Sequence, residues 1–292
     1  MRLQAERNRP RPSSRGAFDY WYTPKGMLLL FLTILAALGL LRSGSWAGLA
    51  HLLASVAAAV AIDAASNYML RRKRRLPDSA ILTALIVSMV LSSAASWYVS
   101  VAATGIALLS KLLFHIRRKP VFNPAAFGLF AALLLSSSGQ DWWGALSELP
   151  AWCIALLLVA GFIVTNRVNK FPQLFAFLGT YFGLFLLMGV LHLGEAAEIF
   201  RTPFVHSALF LAFFMLTDPP TSPARTRGQL MFGAGAAFIS VIVNYTIGGL
   251  SFLLVGLLAA NALHALHVRW ASRKQISSQP QPNPTIIATE PR

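Results

Sequence analysis

A single cysteine, Cys153, in 292 residues excludes an intramolecular disulfide, a cysteine-ligated iron–sulfur cluster and a thiolate zinc site. The phosphate-cradling glycine loop, the dinucleotide fingerprint, the nucleophile elbow and the zinc-protease helix are also missing, so hydrolytic chemistry has no visible apparatus. Charge is scarce as well, at 12% of residues, and lopsided, with 25 Lys and Arg against 10 Asp and Glu. What fills the chain instead is apolar: 56% of residues are hydrophobic, far too many for an ordinary soluble domain. The basic residues fall in short clusters between apolar runs rather than along one soluble face. They therefore read as topology signals and not as a nucleic-acid surface.

The sequence predicts an all-α polytopic membrane protein with about ten transmembrane helices. The first five are expected at about Met27 to Leu41, Trp46 to Leu70, Ser79 to Leu91, Trp97 to Phe114 and Phe122 to Leu135. The second five follow at about Ala151 to Val164, Phe171 to Leu191, Phe204 to Leu216, Gly228 to Tyr245 and Gly249 to His267. The third and eighth are shorter than a bilayer needs. Basic loops alternate along the string: Arg71 to Arg75, Arg117 to Lys119, Arg167 with Lys170, Arg225 with Arg227, and Arg269 to Lys274. That side is expected to be the cytoplasm, with both termini on it. Asp141, Glu148, Glu195 and Glu198 gather on the other side, with Arg42 and Arg201. No small-residue cleavage site follows the first apolar run, so a removed signal peptide is not expected. Residues 1–26 read as a cytoplasmic arm, disordered like the tail 268–292, which bracket a transmembrane domain 27–267.

Ser79-Ala80-Ile81-Leu82-Thr83-Ala84 opens the third span and Ser207-Ala208-Leu209-Phe210-Leu211-Ala212 the eighth. Five spans separate them, so a real repeat would be inverted, in two five-helix halves; the alternative is ordinary enrichment of small residues at helix contacts. Asp63 lies well inside a span, where a carboxylate costs about 2.5 to 3.5 kcal/mol. It suits a proton- or cation-handling group or the anchor of a polar cofactor, or else a partner for the Arg71 to Arg75 cluster about two turns on. Lys111 is similar, with snorkelling as its simpler reading. Asn123 can cap a helix whose first turn holds Pro124, and that helix and the one entered through Pro77-Asp78-Ser79 would present N-termini that favour anions. Leu216-Thr217-Asp218-Pro219 has turn chemistry. Asn261 stands among apolar neighbours, where helix–helix hydrogen bonding is the usual role. His115, His264 and His267 lack the partners of a metal site.

Taken in order, Asp78-Ser79-Ala80, Leu82-Thr83-Ala84, Lys111, Phe122-Asn123-Pro124-Ala125, Thr217-Asp218-Pro219, Thr226-Arg227-Gly228 and Ala260-Asn261 resemble the signature of a family of membrane subunits. These are the D subunit of Rnf electron-transport complexes and the B subunit of sodium-translocating NADH:quinone reductase. The resemblance runs from about Ala61 to Leu266. It implies two inverted five-helix halves, distantly similar to urea transporters, with flavins passing electrons across the membrane in step with cation movement. By this resemblance Ser79, Thr83, Lys111, Asn123, Thr217, Asp218 and Asn261 become candidates for a flavin pocket, and Asp63 for an ion path.

One departure matters. The family subunits carry a covalent flavin on the threonine of an S-x-A-T type motif in a long outer loop. The corresponding segment here, Ser136-Ser137-Ser138-Gly139-Gln140-Asp141-Trp142-Trp143, is short and has no threonine. Ser100-Val101-Ala102-Ala103-Thr104 has the wrong spacing, and Ala288-Thr289 lies in the tail. The expected cofactor is therefore a non-covalent flavin, riboflavin or FMN, rather than covalent FMN. With no NAD site, an electron-relay subunit needs a cytoplasmic or membrane-bound redox partner protein. The alternatives are a flavin-free channel or carrier for a small solute or ion built on the same halves, and an assembly scaffold.

Overall fold

The computed structural model describes residues 17–71, 76–116, 119–136, 138–146, 149, 151–193, 196–249 and 251–277. The arm to Arg15, most of the Arg71 to Arg75 cluster, Arg117, Ser137, Glu148, Glu195 and the tail with Ala288 and Thr289 lie outside them. After a short helix α1 (Ala17–Trp21), the first half comprises α2 (Pro24–Ser43), α3 (Trp46–Met69), α4 (Asp78–Val90), α5 (Trp97–Leu113) and α6 (Pro124–Ser136). The second comprises α7 (Ile154–Val168), α8 (Phe171–Val190), α9 (Thr202–Phe210), α10 (Thr226–Ile247) and α11 (Phe252–Ser277). α9 continues as a π-helix from Leu211 to Leu216. A hairpin of β1 (His115–Ile116) and β2 (Lys119–Pro120) joins α5 to α6.

Among these are five helices long and apolar enough to cross a membrane, and five shorter apolar ones. Exposed aromatic residues mark both ends of the bundle. Trp46, Trp97, Tyr98, Trp152 and Tyr245 stand at one end, and Trp21, Tyr22, Tyr68 and Trp270 at the end that carries the basic loops. Such girdles sit at headgroup level, so they frame the apolar band.

The halves repeat one packing scheme. In the first, α3 packs on α4 and α5, α5 on α6 and α2 on α4; in the second, α8 packs on α10 and the π-helix, α10 on α11 and α7 on α9. Across the halves, first meets first (α2 with α7) and fifth meets fifth (α6 with α11). Five helices per half turn the second copy over. The close approaches agree: a Cβ on Gly128 of α6 would lie 2.3 Å from the Ala103 carbonyl oxygen of α5, and one on Gly233 of α10 would lie 2.3 Å from that of Gln173 in α8.

Each third helix is short and buried. α4 has 13 residues, about 20 Å at ~1.5 Å per residue, against the ~30 Å of a hydrocarbon core. Ser79 stands at its N-terminal end, whereas Ser207 lies well inside α9, which begins at Thr202. Phe210 to Phe214, which sequence could assign to lipid, are all buried, because α9 and the π-helix pack against α7, α8 and the segment around Trp142. A fully apolar helix has no polar face to show which side is core.

Two expectations for the termini are corrected. Residues 17–26 hold α1 and the start of α2, joined by a tight turn in which the Thr23 hydroxyl donates to Tyr20 O at 2.7 Å and accepts from Gly26 N at 3.1 Å. The last helix runs through residues 268–277, since no Gly or Pro stops it there.

Candidate functional site

A cleft of about 1300 Å³ lies between the halves on the basic-loop side. Its lining includes Asp63, Ser79, Thr83, Lys111, Asn123, Thr217 and Asp218, seven of the eight residues singled out above. Asn261, the eighth, stands directly behind Asn123. Lys25, His115 and Pro120 line it as well, while Leu82, Ile86, Phe213 and Phe214 supply apolar surface.

The back of the cleft is built around the C-terminal end of the π-helix. A helix ends with carbonyl groups that have no partner within it, and π-turns recur at functional sites. Here side chains supply the partners. Thr217 Oγ1 donates to Phe213 O at 2.6 Å, Asn123 Nδ2 to Met215 O at 3.0 Å, and Gln173 Nε2 of α8 to Leu216 O at 2.6 Å. Asn123 also caps α6, its Oδ1 accepting from Ala126 N at 3.1 Å. Its own N–H donates to Asn261 Oδ1 of α11 at 2.9 Å, and Asn261 Nδ2 donates to Thr221 O at 3.2 Å. Asn123, Gln173, Thr217 and Asn261 are all buried. Side chains from α8, α11 and the cap of α6 thus fix one loop.

That loop carries Asp218, whose Oδ2 accepts from Thr221 Oγ1 at 3.0 Å. Burial holds its carboxyl above the usual carboxylate range, against the pull of the Thr221 hydroxyl and the ammonium groups of Lys111 and Lys170. Lys170, buried at the turn before α8, donates to Pro223 O of the same loop. Burial lowers its pKa to about 8, and the nearby Asp218 opposes that shift.

The front of the cleft is built on the first half. Lys111 does not snorkel to the surface: its ammonium donates to Ser79 O at 2.9 Å, Ser79 Oγ at 3.1 Å and Thr83 Oγ1 at 2.9 Å. Asp63 is half-buried and accepts from Asn67 Nδ2, one turn on, at 2.7 Å. Lys25 pairs with Asp78 at 3.3 Å. The N-termini of α4 and α6, expected to attract anions, are met from within. Pro77 O accepts from Ala80 N and Ile81 N, Asp78 Oδ1 accepts from Ser79 N, and Asn123 caps α6. Among the described residues no three of His, Cys, Asp and Glu gather as a metal site.

At the opposite end residues 141–143 are bonded to the C-terminal turn of α4. Trp143 Nε1 donates to Ser88 O at 2.7 Å, while Asp141 N and Trp142 N both donate to Val90 O, so this segment caps the C-terminus of α4. Trp142 is fully buried and meets Phe210 edge-on. Ser100 and Thr104 are buried in α5, and Ser100 bonds Ser55 of α3 at 2.6 Å. Sequence reasoning passed over Gln173, Thr221 and Asn67, and read Lys170 as topology alone. Gln173 carried the same signal as Asn261, a polar amide in an apolar helix.

A profile of the NQR2, RnfD, RnfE family matches residues 137–276, which include Thr217, Asp218 and Asn261 but not the candidates of the first half. The D subunit of the ion-translocating oxidoreductase complex of Pseudomonas paraeruginosa (strain DSM 24068 / PA7) is 26% identical over 307 residues, spanning 80% of this chain and 86% of that protein. Its counterpart in Pseudomonas aeruginosa (strain LESB58) is 26% identical over 309 residues, with the same shares covered. The chain thus resembles the NQR2, RnfD, RnfE family by profile over its second half, and over most of its length it is similar to the D subunits of ion-translocating oxidoreductase complexes.

Proposed function

We propose that this chain is a membrane subunit of an ion-translocating electron-transport complex that holds a non-covalent flavin, riboflavin or FMN, in the cleft on its basic-loop side. That side faces the cytoplasm, by the excess of Lys and Arg in its loops. The observation that carries the reading is the convergence of the candidate residues on one cleft, larger than the ~300–1000 Å³ typical of small-molecule sites. When bound, the flavin supplies reversible electron transfer. The chain's part is to orient it: Phe213 and Phe214 give apolar surface to the ring, and Ser79, Asn123, Thr217 and Asp218 give polar groups at its edge.

Charge favours the form without phosphate. Of the lysines lining the cleft, Lys25 is paired with Asp78, and Lys111 has three oxygen partners. Asp63 and Asp218 would face a phosphate unfavourably. Electrons come from a partner protein at the cytoplasmic face or in the membrane, and cation movement along a path past Asp63 accompanies them.

The test is absorbance and mass analysis of the detergent-purified protein before and after acid precipitation. Stoichiometric flavin, released by acid, is expected. Folded protein without flavin would overturn the redox reading. It would leave the second reading, a solute or ion path, which Asp63, Asn67 and Asp218 at the cleft wall favour and which flux into liposomes would check.

A further inference from the structure

We propose that a small cluster of ordered water solvates the buried ammonium group of Lys170 behind the loop that carries Asp218, held there by Thr165, Gln173 and Gln229. None of these four residues lines the cleft, and the proposal stands apart from the flavin reading.

The oxygens come first. Thr165 Oγ1, Gln173 Oε1 and Gln229 Oε1 belong to buried side chains and have no hydrogen-bond partner among the described residues. The amide nitrogens show which end of each glutamine is the oxygen. Gln173 Nε2 donates to Leu216 O at 2.6 Å, and Gln229 Nε2 donates to Asn169 O at 3.3 Å and Ala224 O at 3.1 Å. Both Oε1 atoms are therefore acceptors that lack a donor, and buried groups of this kind are destabilising unless they are met.

A donor stands among them. Of the three N–H of the Lys170 ammonium group, one goes to Pro223 O, and among the described residues the other two have no acceptor. The surrounding contacts gather the oxygens about it. Asn169 O and Ala224 O, the acceptors of Gln229, adjoin Lys170 and Pro223 in the chain. Gln229 lies one turn before Gly233, whose Cβ would lie 2.3 Å from Gln173 O, so the two glutamines face each other across α8 and α10. Lys170 N donates to Thr165 O at 3.2 Å. Thr165 lies one turn after Gly161, whose Cβ would meet the Phe213 ring at 2.2 Å, so its hydroxyl faces the end of the π-helix that Gln173 reaches.

Water matches this set. It accepts from the ammonium group and donates two hydrogens to the amide oxygens, and a buried water makes about three such bonds. A free cation would meet the charge of Lys170 at close range, and an anion would face the two amide oxygens. The close approach of α10 to α8 at Gly233 leaves a larger molecule without room. Water also accounts for the buried charge. Among the described residues no ion pair joins Lys170 to Asp218, so solvent takes the place of a contacting carboxylate.

A crystal structure of the detergent-purified chain at about 2 Å resolution tests this without requiring a flavin. The expected result is water density about 2.6–3.2 Å from Lys170 Nζ and from at least one of the two Oε1 atoms. A dry contact, a direct bond from Lys170 Nζ to either Oε1, or an ion in that place overturns the proposal. Should crystals not reach that resolution, melting of Thr165→Val, which replaces the hydroxyl by a methyl group of similar size, decides. If water meets the hydroxyl, the Tm should fall by about 2–4 °C. In a dry site the substitution removes an unmet polar group, so a Tm that is unchanged or raised overturns the proposal.

Discussion

The two short buried helices bring opposite ends to the same side of the bundle, and the two ends are secured differently. α9 arrives C-terminus first, with its last carbonyl groups buried at the back of the cleft. Asn123, Gln173 and Thr217 meet them, and Asn261 and Lys170 hold the chain that follows. α4 presents its N-terminus at the cleft mouth, where its own residues and the partly exposed Lys25–Asp78 pair suffice. An inverted repeat therefore does not duplicate its ends. A buried helix terminus demands partners from the rest of the fold, whereas one near water does not.

Substitutions can break that contrast. The largest loss is expected for Asn261→Leu, which leaves the Asn123 N–H and the Thr221 carbonyl without partners in a buried setting. At about 1–3 kcal/mol for each unmet group, the cost is on the order of 2–6 kcal/mol. A Tm lowered by roughly 10 °C in detergent would match it, and a change within 2 °C would mean that the network does not secure the α9 end. Gln173→Leu strands one carbonyl, that of Leu216, and should cost about 1–3 kcal/mol.

Lys170→Met adds a pH signature. The folded pKa of about 8 lies below the ordinary 10.5, so between those values the unfolded chain binds more protons than the folded one. Stability from this group therefore rises with pH across that window. In Lys170→Met that upward slope should fall by this group's share in a series of melts from pH 7.5 to 10.5. A slope unchanged from that of the unsubstituted chain would assign it to other groups.

Much of this was legible from sequence because lipid imposes length and charge rules on every span. Trp46, Trp97 and Phe171 begin helices where the apolar runs begin, and the basic loops sort to one end. Asp63 and Lys111 were conspicuous as charges within apolar spans, Asn123 as a helix cap and Thr217-Asp218 as a turn, and all of them line one cleft. What stayed hidden depended on packing between distant segments. Nothing in Phe210 to Phe214 separates lipid from core, since both are apolar. The π-turn follows from partners up to 92 residues away, as in the Asn123–Met215 bond. The burial of Trp142 depends on the end of α4, and the turn of Lys111 toward Ser79 on the spacing of α4 and α5.

The smallest effect sharpens the comparison most. Lys25→Met removes an ion pair whose side chains are 56% and 20% exposed, so solvent screens it and the loss should be about 0–1 kcal/mol. Its value lies in the salt dependence. The unsubstituted chain should lose this small increment as ionic strength rises from low salt to ~1 M, where the Debye length shrinks to ~3 Å, and the two proteins should then melt together. The Asn261→Leu deficit should persist across the same salt range, because the groups it strands are buried and uncharged. If Lys25→Met instead cost as much as Asn261→Leu, the mouth of the cleft would be as tightly built as its back, and the contrast between the two helix ends would fail.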